Sequence, residues 1–305
     1  MRILITGGTG SLGSVLAQHL TQQGHDISIL NRDGHKQQAI KSLLPKHTQY
    51  FLTDICHRDT VRAACRGQDV VVHCAAAKIL GIGETSPQEY CRVNINGTIT
   101  VANACRDEGV RKALLISSDK ACAPINLYGA TKRCAESVWL ASDTHAHHFA
   151  ALRYGNVVNS KGSVWHMWRE RMAQGLPIEV RDPEPTRFIL TVDEAVTLVQ
   201  SALNTMNENH KCVFIPSHVP AFSLWDLARA VQPDESQWKR THLEQGEKQH
   251  EVMLATGEYA RQVNHLLWAT CDESDYHMSD EERAQFGSET ARKLSGREVI
   301  SKLNG

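Results

Sequence analysis

Between Ser117 and Lys132 the chain gathers side chains that can move protons: Ser117-Ser118-Asp119-Lys120, then Tyr128-Gly-Ala-Thr-Lys132. Tyr128 and Lys132 are four positions apart, so on a helix they share a face one turn from each other. A cation there favours the phenolate, and bringing a tyrosine pKa from ~10 to ~7 takes about 4 kcal/mol of differential stabilisation. The product is a base usable near neutral pH. A solvated loop leading into a surface helix is the plain alternative for a Tyr-x-x-x-Lys pair alone. The adjoining serines and the Asp119-Lys120 doublet argue against it.

Two elements must position these groups. The apolar run Ala113-Leu114-Leu115-Ile116 reads as a buried strand. Asp119 and Lys120 therefore lie just past a strand's carboxyl end, where open α/β sheets bind ligands. Upstream, Met1-Arg-Ile-Leu-Ile-Thr6 is a strand that enters Gly7-Gly8-Thr9-Gly10-Ser11-Leu12-Gly13, and a helical stripe follows. The spacing of Gly7, Gly10 and Gly13 fits a tight turn that brings backbone close to a pyrophosphate. The helix amino terminus behind it supplies free N–H groups for the phosphates. Thr9, Ser11 and Leu12 belong to the same loop.

The second strand, Asp26 to Leu30, ends at Asn31-Arg32-Asp33. An acid at this tip accepts from the ribose hydroxyls of NAD; Asn31 followed by Arg32 suits the 2′-phosphate of NADP instead. NADP is the expected cofactor, with Asp33 the residue that would permit NAD. Tyr50 to Asp54 reads as a third strand, whose end sets Asp54 and Ile55 beside the adenine. Val70 to His73 is a fourth, and Ala75, Ala76 and Ala77 after it offer small residues where backbone passes the nicotinamide.

At 305 residues with a net charge of −1, the chain has no field for nucleic acid. No apolar stretch approaches the ~20 residues that span a bilayer, and the first apolar run is the cofactor strand rather than a signal peptide. Nine cysteines without a C-x-x-C pair point to a reducing cytoplasm and against disulfides or zinc. His145-Ala-His147-His148 reads as an exposed turn. Strand and helix signals alternate through about residue 155, which predicts an α/β fold: a doubly wound parallel sheet with a smaller C-terminal lobe. The expected division is a dinucleotide-binding domain over 1–155 and a substrate lobe over 156–305, with about 185–215 returning to the sheet. Pro87 to Glu108 reads as one helix carrying Asn94, either a solvated surface position or a brace for the active-site strand. The tail carries a capping box at Ser279 to Glu282 and no legible chemistry.

These residues resemble the extended short-chain dehydrogenases/reductases and, more narrowly, the inverting UDP-N-acetylglucosamine 4,6-dehydratases. The likeness runs through Ser118-Asp119-Lys120-Ala-x-x-Pro124-Ile-Asn126-Leu-Tyr128, Arg153-Tyr-Gly-Asn156, Asp182-Pro-Glu-Pro-Thr186-Arg187 and Gly246-Glu247-Lys248-x-His250-Glu251. It implies a Rossmann fold, a UDP-sugar substrate and a homo-oligomer acting in bacterial surface-glycan synthesis. It further implies oxidation at carbon 4 with Tyr128 taking the hydroxyl proton and Lys132 holding the ribose. Lys120 would be the carbon 5 base, Asp119 the acid for the departing 6-hydroxyl, and Ser118 (or Ser117) a hydrogen bond to the sugar. Arg187 is the expected diphosphate contact, with Lys78, Asn156, Lys161, Ser163 and Glu247 along the substrate channel. The family's usual Lys-His-Val-Pro is here Lys78-Ile-Leu-Gly81, its Gly-Ser-Arg-Gly is Asn159-Ser-Lys161-Gly, and its Arg-Pro is Glu244-Gln245. A 4-epimerase or ketoreductase would use the same Tyr128, Lys132 and glycine loop without needing the doublet. A non-catalytic, redox-sensing NADP-binding protein is the remaining alternative, and the retained Tyr128 and Lys132 speak against it.

Overall fold

The computed structural model describes residues 1–158, 164–207, 209–271 and 278–304. Six short apolar runs form parallel strands: β1 (Arg2–Thr6), β2 (Asp26–Asn31), β3 (Gln49–Leu52), β4 (Val70–His73), β5 (Lys112–Ile116) and β6 (His148–Leu152). Both faces of these strands are covered, so they read as continuous hydrophobic segments rather than alternating ones. Alternation survives in where they point. Ile3, Ile5, Val70, Val72, Leu114 and Ile116 enter one core cluster. Their neighbours Leu4, Val71, Ala113 and Leu115 enter the other, with Val101, Cys105 and Trp139 from the covering helices.

Further along lie β7 (Asn156–Val157), β8 (Ile178–Asp182), β9 (Thr186–Leu190), β10 (Val213–Pro216), β11 (Ala221–Ser223), β12 (Trp238–His242), β13 (Tyr259–Gln262) and β14 (Leu267–Cys271). The main sheet has nine strands in the order β13-β14-β10-β6-β5-β4-β1-β2-β3. β10 joins β6 in parallel, and β14 and β13 extend the sheet antiparallel. Of the segment expected to return to the sheet, β10 does so. β9 instead lies between β7 and β11 in a three-stranded sheet. The antiparallel pair β13 and β14, within what the sequence assigns to the lobe, carries no sequence signal strong enough to separate it from loop.

β8 and β12 form a two-stranded sheet. With the helices Leu224–Val231 and Gly296–Asn304 they enclose a third core around Trp168, Ile178, Val180, Phe222, Leu227 and Trp238. The two helices approach closely at Gly296, where a Cβ would stand 2.1 Å from the Asp226 carbonyl. No helix among the described residues is long and apolar enough to cross a membrane.

Candidate active site

The glycine loop is a close contact between β1 and the turn after β4. Gly7 has φ +67, and a Cβ there would lie 2.8 Å from the Ala75 nitrogen. A Cβ on Gly13 would meet the Gly7 carbonyl at 2.6 Å. No side chain caps the helix Ser11–Gln22 behind Gly10, so its first N–H groups stay available. Leu12 is turned into the core, while Ser11 is exposed. At the β2 tip, Asn31 donates to Thr9 Oγ1 at 2.8 Å and to the Asp33 carbonyl at 3.0 Å. Its Oδ1 is buried and has no hydrogen-bond partner among the described residues. Uncapped donors, a glycine cradle and an orphaned acceptor at the ribose position together fit a dinucleotide. Arg32 is exposed and pairs loosely with Glu89 at 3.3 Å, whereas Asp33 caps the next helix by accepting from Lys36 N–H.

Asp54 accepts from Cys56 N–H and from Arg92, each at 2.9 Å. Burial would raise its carboxyl, but these bonds outweigh burial and bring it down to about 2. Ile55 is buried beneath Gly97. The predicted long helix is continuous from Pro87 to Asp107 with a π turn at Cys91–Gly97, a feature that often marks a site. Asn94 lies in that turn. Its amide clamps Ala77 from both sides, accepting from the N–H at 2.8 Å and donating to the carbonyl at 2.9 Å. It also donates to Thr131 on the tyrosine helix at 3.0 Å. Ala76 and Lys78 are exposed along the same stretch.

The helix Leu127–Leu140 carries Tyr128 and Lys132, both buried. Asn126 caps it by accepting from Gly129 N–H, and its amide donates to the Gly246 carbonyl at 2.7 Å. Gly129 lets the helix sit flush on the turn Asp119–Ala121, because a Cβ there would fall 2.3 Å from the Lys120 carbonyl. Asp119 N–H donates to the Tyr154 carbonyl beyond β6 at 3.1 Å, which pins the doublet to the sheet's carboxyl edge. The predicted placement is therefore what the structure has.

A polar chain runs through this corner. Tyr128 is buried beside it, near enough for Lys120 to act on its phenol. Ser118 Oγ donates to Asp119 Oδ1 at 2.8 Å, and Lys120 Nζ donates to the same oxygen at 3.2 Å. Lys120 also meets Glu251 Oε1 at 3.2 Å and Asn156 Oδ1 at 3.3 Å. Burial alone would strip the Lys120 proton, but the two carboxylates outweigh it and hold an ammonium. Burial raises Asp119, against the pull of Lys120. Asp119 is 1% exposed, and its Oδ2 has no hydrogen-bond partner among the described residues.

Several expectations change. Lys132 Nζ donates to the Ile116 carbonyl at 2.6 Å, and burial lowers its pKa to about 8. Burial raises the Tyr128 phenol, and the cation that opposes this is Lys120. Ser117 faces away from the corner, donating to buried Glu136 at 2.6 Å, which leaves Ser118 as the serine of the site. Arg187 offers no open fork to a diphosphate. It is 6% exposed and donates to the Thr186 and Gln249 carbonyls and to Glu247 at 2.9 Å. Glu247 in turn pairs with Arg181 at 3.1 Å, and Arg181 also binds Glu244. Lys161 and Ser163 lie outside the described residues.

Sequence reasoning missed Glu251, Lys248 and Ser288. Lys248 donates to the Cys122 carbonyl at 2.6 Å and lies 3.6 Å from Glu251. Ser288, in the tail, accepts from Glu251 N–H at 2.8 Å. The signal available was a Lys-x-x-Glu pair leading directly into the apolar Val252-Met253-Leu254, since a charge beside such a run must be paired when buried.

A family model described as polysaccharide biosynthesis protein matches residues 3–271. The chain is 36% identical over 262 residues to the UDP-N-acetylglucosamine 4,6-dehydratase (inverting) of Campylobacter jejuni, covering 83% of this chain and 77% of that protein. It is 29% identical to the UDP-glucose 4-epimerase of Rickettsia rickettsii, over 85% of this chain and 79% of the other. Among solved structures it superposes on Pen from Bacillus thuringiensis with a TM-score of 0.87 at 26% identity, covering 98% of this chain and 95% of that one.

Proposed function

The chain belongs to the polysaccharide biosynthesis protein family, and from that membership we propose that it removes water from UDP-N-acetylglucosamine, giving a 4-keto-6-deoxy sugar inverted at carbon 5. One observation carries the reading: Asp119, Lys120 and Ser118 are hydrogen-bonded together at the sheet edge on which the helix bearing Tyr128 lies flush. An epimerase or ketoreductase needs the phenol but has no work for Asp119 and Lys120. The similarity to a dehydratase of this kind supports the same choice.

A nicotinamide cofactor, when bound, supplies reversible oxidation at carbon 4. The glycine loop from Gly7 to Gly13, Asn31, Arg32, Asp54, Ala75 and Lys132 would hold it. We favour NADP, because exposed Arg32, held only by a 3.3 Å pair with Glu89, stands beside Asn31, and Asp33 is engaged as a helix cap. Tighter binding of NAD than of NADP in a fluorescence titration would contradict that choice.

Tyr128 takes the 4-hydroxyl proton as the phenolate, the form that Lys120 favours against burial. The ketone acidifies the carbon 5 proton, so an amine suffices as base. Asp119, whose carboxyl burial raises, would meet the 6-hydroxyl through its orphaned Oδ2 and in its acid form protonate it as it leaves. Asn156, which accepts from Lys120, and exposed Lys78 would contact the sugar. The chain would act in the cytoplasm as a homo-oligomer, which cell fractionation and light scattering test. Mass spectrometry of product from UDP-N-acetylglucosamine decides the reaction: loss of one water supports dehydration, and unchanged mass excludes it.

A further inference from the structure

A lysine on a flexible four-carbon stem is aimed by the acceptors around its head. Lys120 Nζ has three, from three parts of the chain: Asp119 Oδ1 at 3.2 Å, Asn156 Oδ1 at 3.3 Å and Glu251 Oε1 at 3.2 Å. Asp119 sits on the turn after β5 and Asn156 on β7, so the fold places both directly. Glu251 lies between β12 and β13, outside any named strand or helix. Its backbone is held by the tail instead. Ser288 takes both of its polar groups: the Ser288 N–H donates to the Glu251 carbonyl at 2.8 Å, and Ser288 Oγ accepts from the Glu251 N–H at 2.8 Å. Beside this clamp, Val252 pairs with Gly287, and Met253 N–H donates to the Phe286 carbonyl at 2.9 Å.

The Ser288 hydroxyl has one proton and two lone pairs, and all three are used. It donates to the Thr186 carbonyl on β9 at 3.2 Å, and it accepts from the Glu251 N–H and from Thr186 Oγ1, the latter at 2.8 Å. Thr186 Oγ1 then accepts from His250 Nδ1 at 2.8 Å. Ser288 is 0% exposed, so without the hydroxyl the Glu251 N–H would be left buried and unpaired. The tail that carries it is fastened at both ends. Phe286 packs edge-on against Trp268 with ring centroids 5.6 Å apart, and Arg292 and Leu294 hydrogen-bond Ala221 on β11. The family match ends at residue 271, so this clamp comes from beyond it.

We propose that Ser288 is a positioning residue for Lys120: by clamping the Glu251 backbone it fixes the carboxylate that aims the amine at carbon 5. The role rests on dehydration being the reaction. Ser288 touches neither sugar nor cofactor and acts only through Glu251. A base must be held close to one C–H bond, and a displacement of about 1 Å can cost ~100-fold in rate. Oxidation at carbon 4 uses Tyr128 and the cofactor, so it does not depend on where Glu251 stands.

The test compares two steps on the full-length enzyme with UDP-N-acetylglucosamine. Absorbance of the reduced cofactor reports carbon 4 oxidation, and proton NMR in deuterated water reports carbon 5 exchange and water loss. In Ser288→Ala, exchange and water loss are expected to fall about tenfold relative to oxidation. In a Glu251→Ala background there is no carboxylate left to aim, so adding Ser288→Ala should change that ratio by no more than ~2-fold. A wild-type ratio in Ser288→Ala overturns the proposal. So do losses that multiply in the double variant, since a merely structural residue would add its own loss to that of Glu251. Ser288→Cys fills the same space with a poor acceptor and makes the same comparison should the alanine variant not fold. Ser288→Thr, which keeps the hydroxyl, should keep the wild-type ratio, and a loss confined to elimination there counts against the role. Wild-type enzyme that releases no water removes the dehydratase reading and this role with it, whereas a failure seen only in the variants leaves that reading standing.

Discussion

Each proton-handling side chain does work that its neighbours decide. Tyr128 stands against Ser118, and Lys120 rather than Lys132 is the cation that opposes the effect of burial on the phenol. Tyr128→Phe should abolish the single-turnover rise in reduced cofactor, while Lys120→Ala should retain cofactor binding yet lose at least ~100-fold in carbon 5 exchange. Normal exchange in Lys120→Ala would exclude its role as base. His73 offers a different residue-scale test. Thr98 Oγ1 donates to the Asn94 carbonyl and so accepts from His73 Nε2, which leaves Nδ1 to accept from Thr6 at 2.6 Å. Burial, helped by Lys132, lowers this imidazole to about 3. The folded protein then refuses a proton that the unfolded chain binds below its ordinary value near 6.5. The sign follows: the stability contribution is whole above pH ~6.5 and is lost as pH falls toward ~3, up to roughly 5 kcal/mol. Urea midpoints between pH ~7 and ~5 should fall more steeply for wild type than for His73→Gln, and equal slopes would contradict this.

At the scale of elements, the site depends on how closely the tyrosine helix lies on the Asp119–Ala121 turn. Gly129 has a Lys120 carbonyl where a Cβ would go, at 2.3 Å. Gly129→Ala must push helix and turn apart, costing about 1–3 kcal/mol and lowering elimination more than cofactor affinity; an unaffected turnover rate would show that the contact does not matter. Much at this scale was legible in advance. The strand before Asp119, the glycine loop and the four-residue spacing of Tyr128 and Lys132 are local patterns, each with its own period or turn requirement. The direction in which Ser117, Arg187 and Lys132 point was not legible, because it is set by partners far away in sequence. Glu136 lies 19 positions from Ser117, and Glu247 lies 60 from Arg187. A guanidinium that suits phosphate suits a buried carboxylate equally well.

Across the whole molecule, the sheet and the lobe are joined through buried charge. Arg153 is fully buried, with its fork shared between Glu136 at 2.8 and 2.9 Å and Glu258 at 2.7 and 2.9 Å. It also donates to the Met253 carbonyl, two residues from Glu251. Arg153→Ala takes the cation from Glu258 and leaves Glu136 only the 3.5 Å pair with Arg133, and should cost about 3–5 kcal/mol in urea unfolding; a change within the range of surface substitutions would mean the pairs are dispensable. Ser288, Glu251 and Lys248 reach the corner only because the tail folds back over the lobe. That is why a reading of local pattern picked out only Glu247 between β12 and β13, although Glu251 and Lys248 of the same segment reach the corner.

The most direct measurement is the fate of UDP-N-acetylglucosamine incubated with the pure protein in deuterated water. If Asp119 and Lys120 face the reacting sugar as acid and base, the product is one water lighter and carries deuterium at carbon 5. A sugar recovered at its original mass with its carbon 5 proton intact would contradict the assignment.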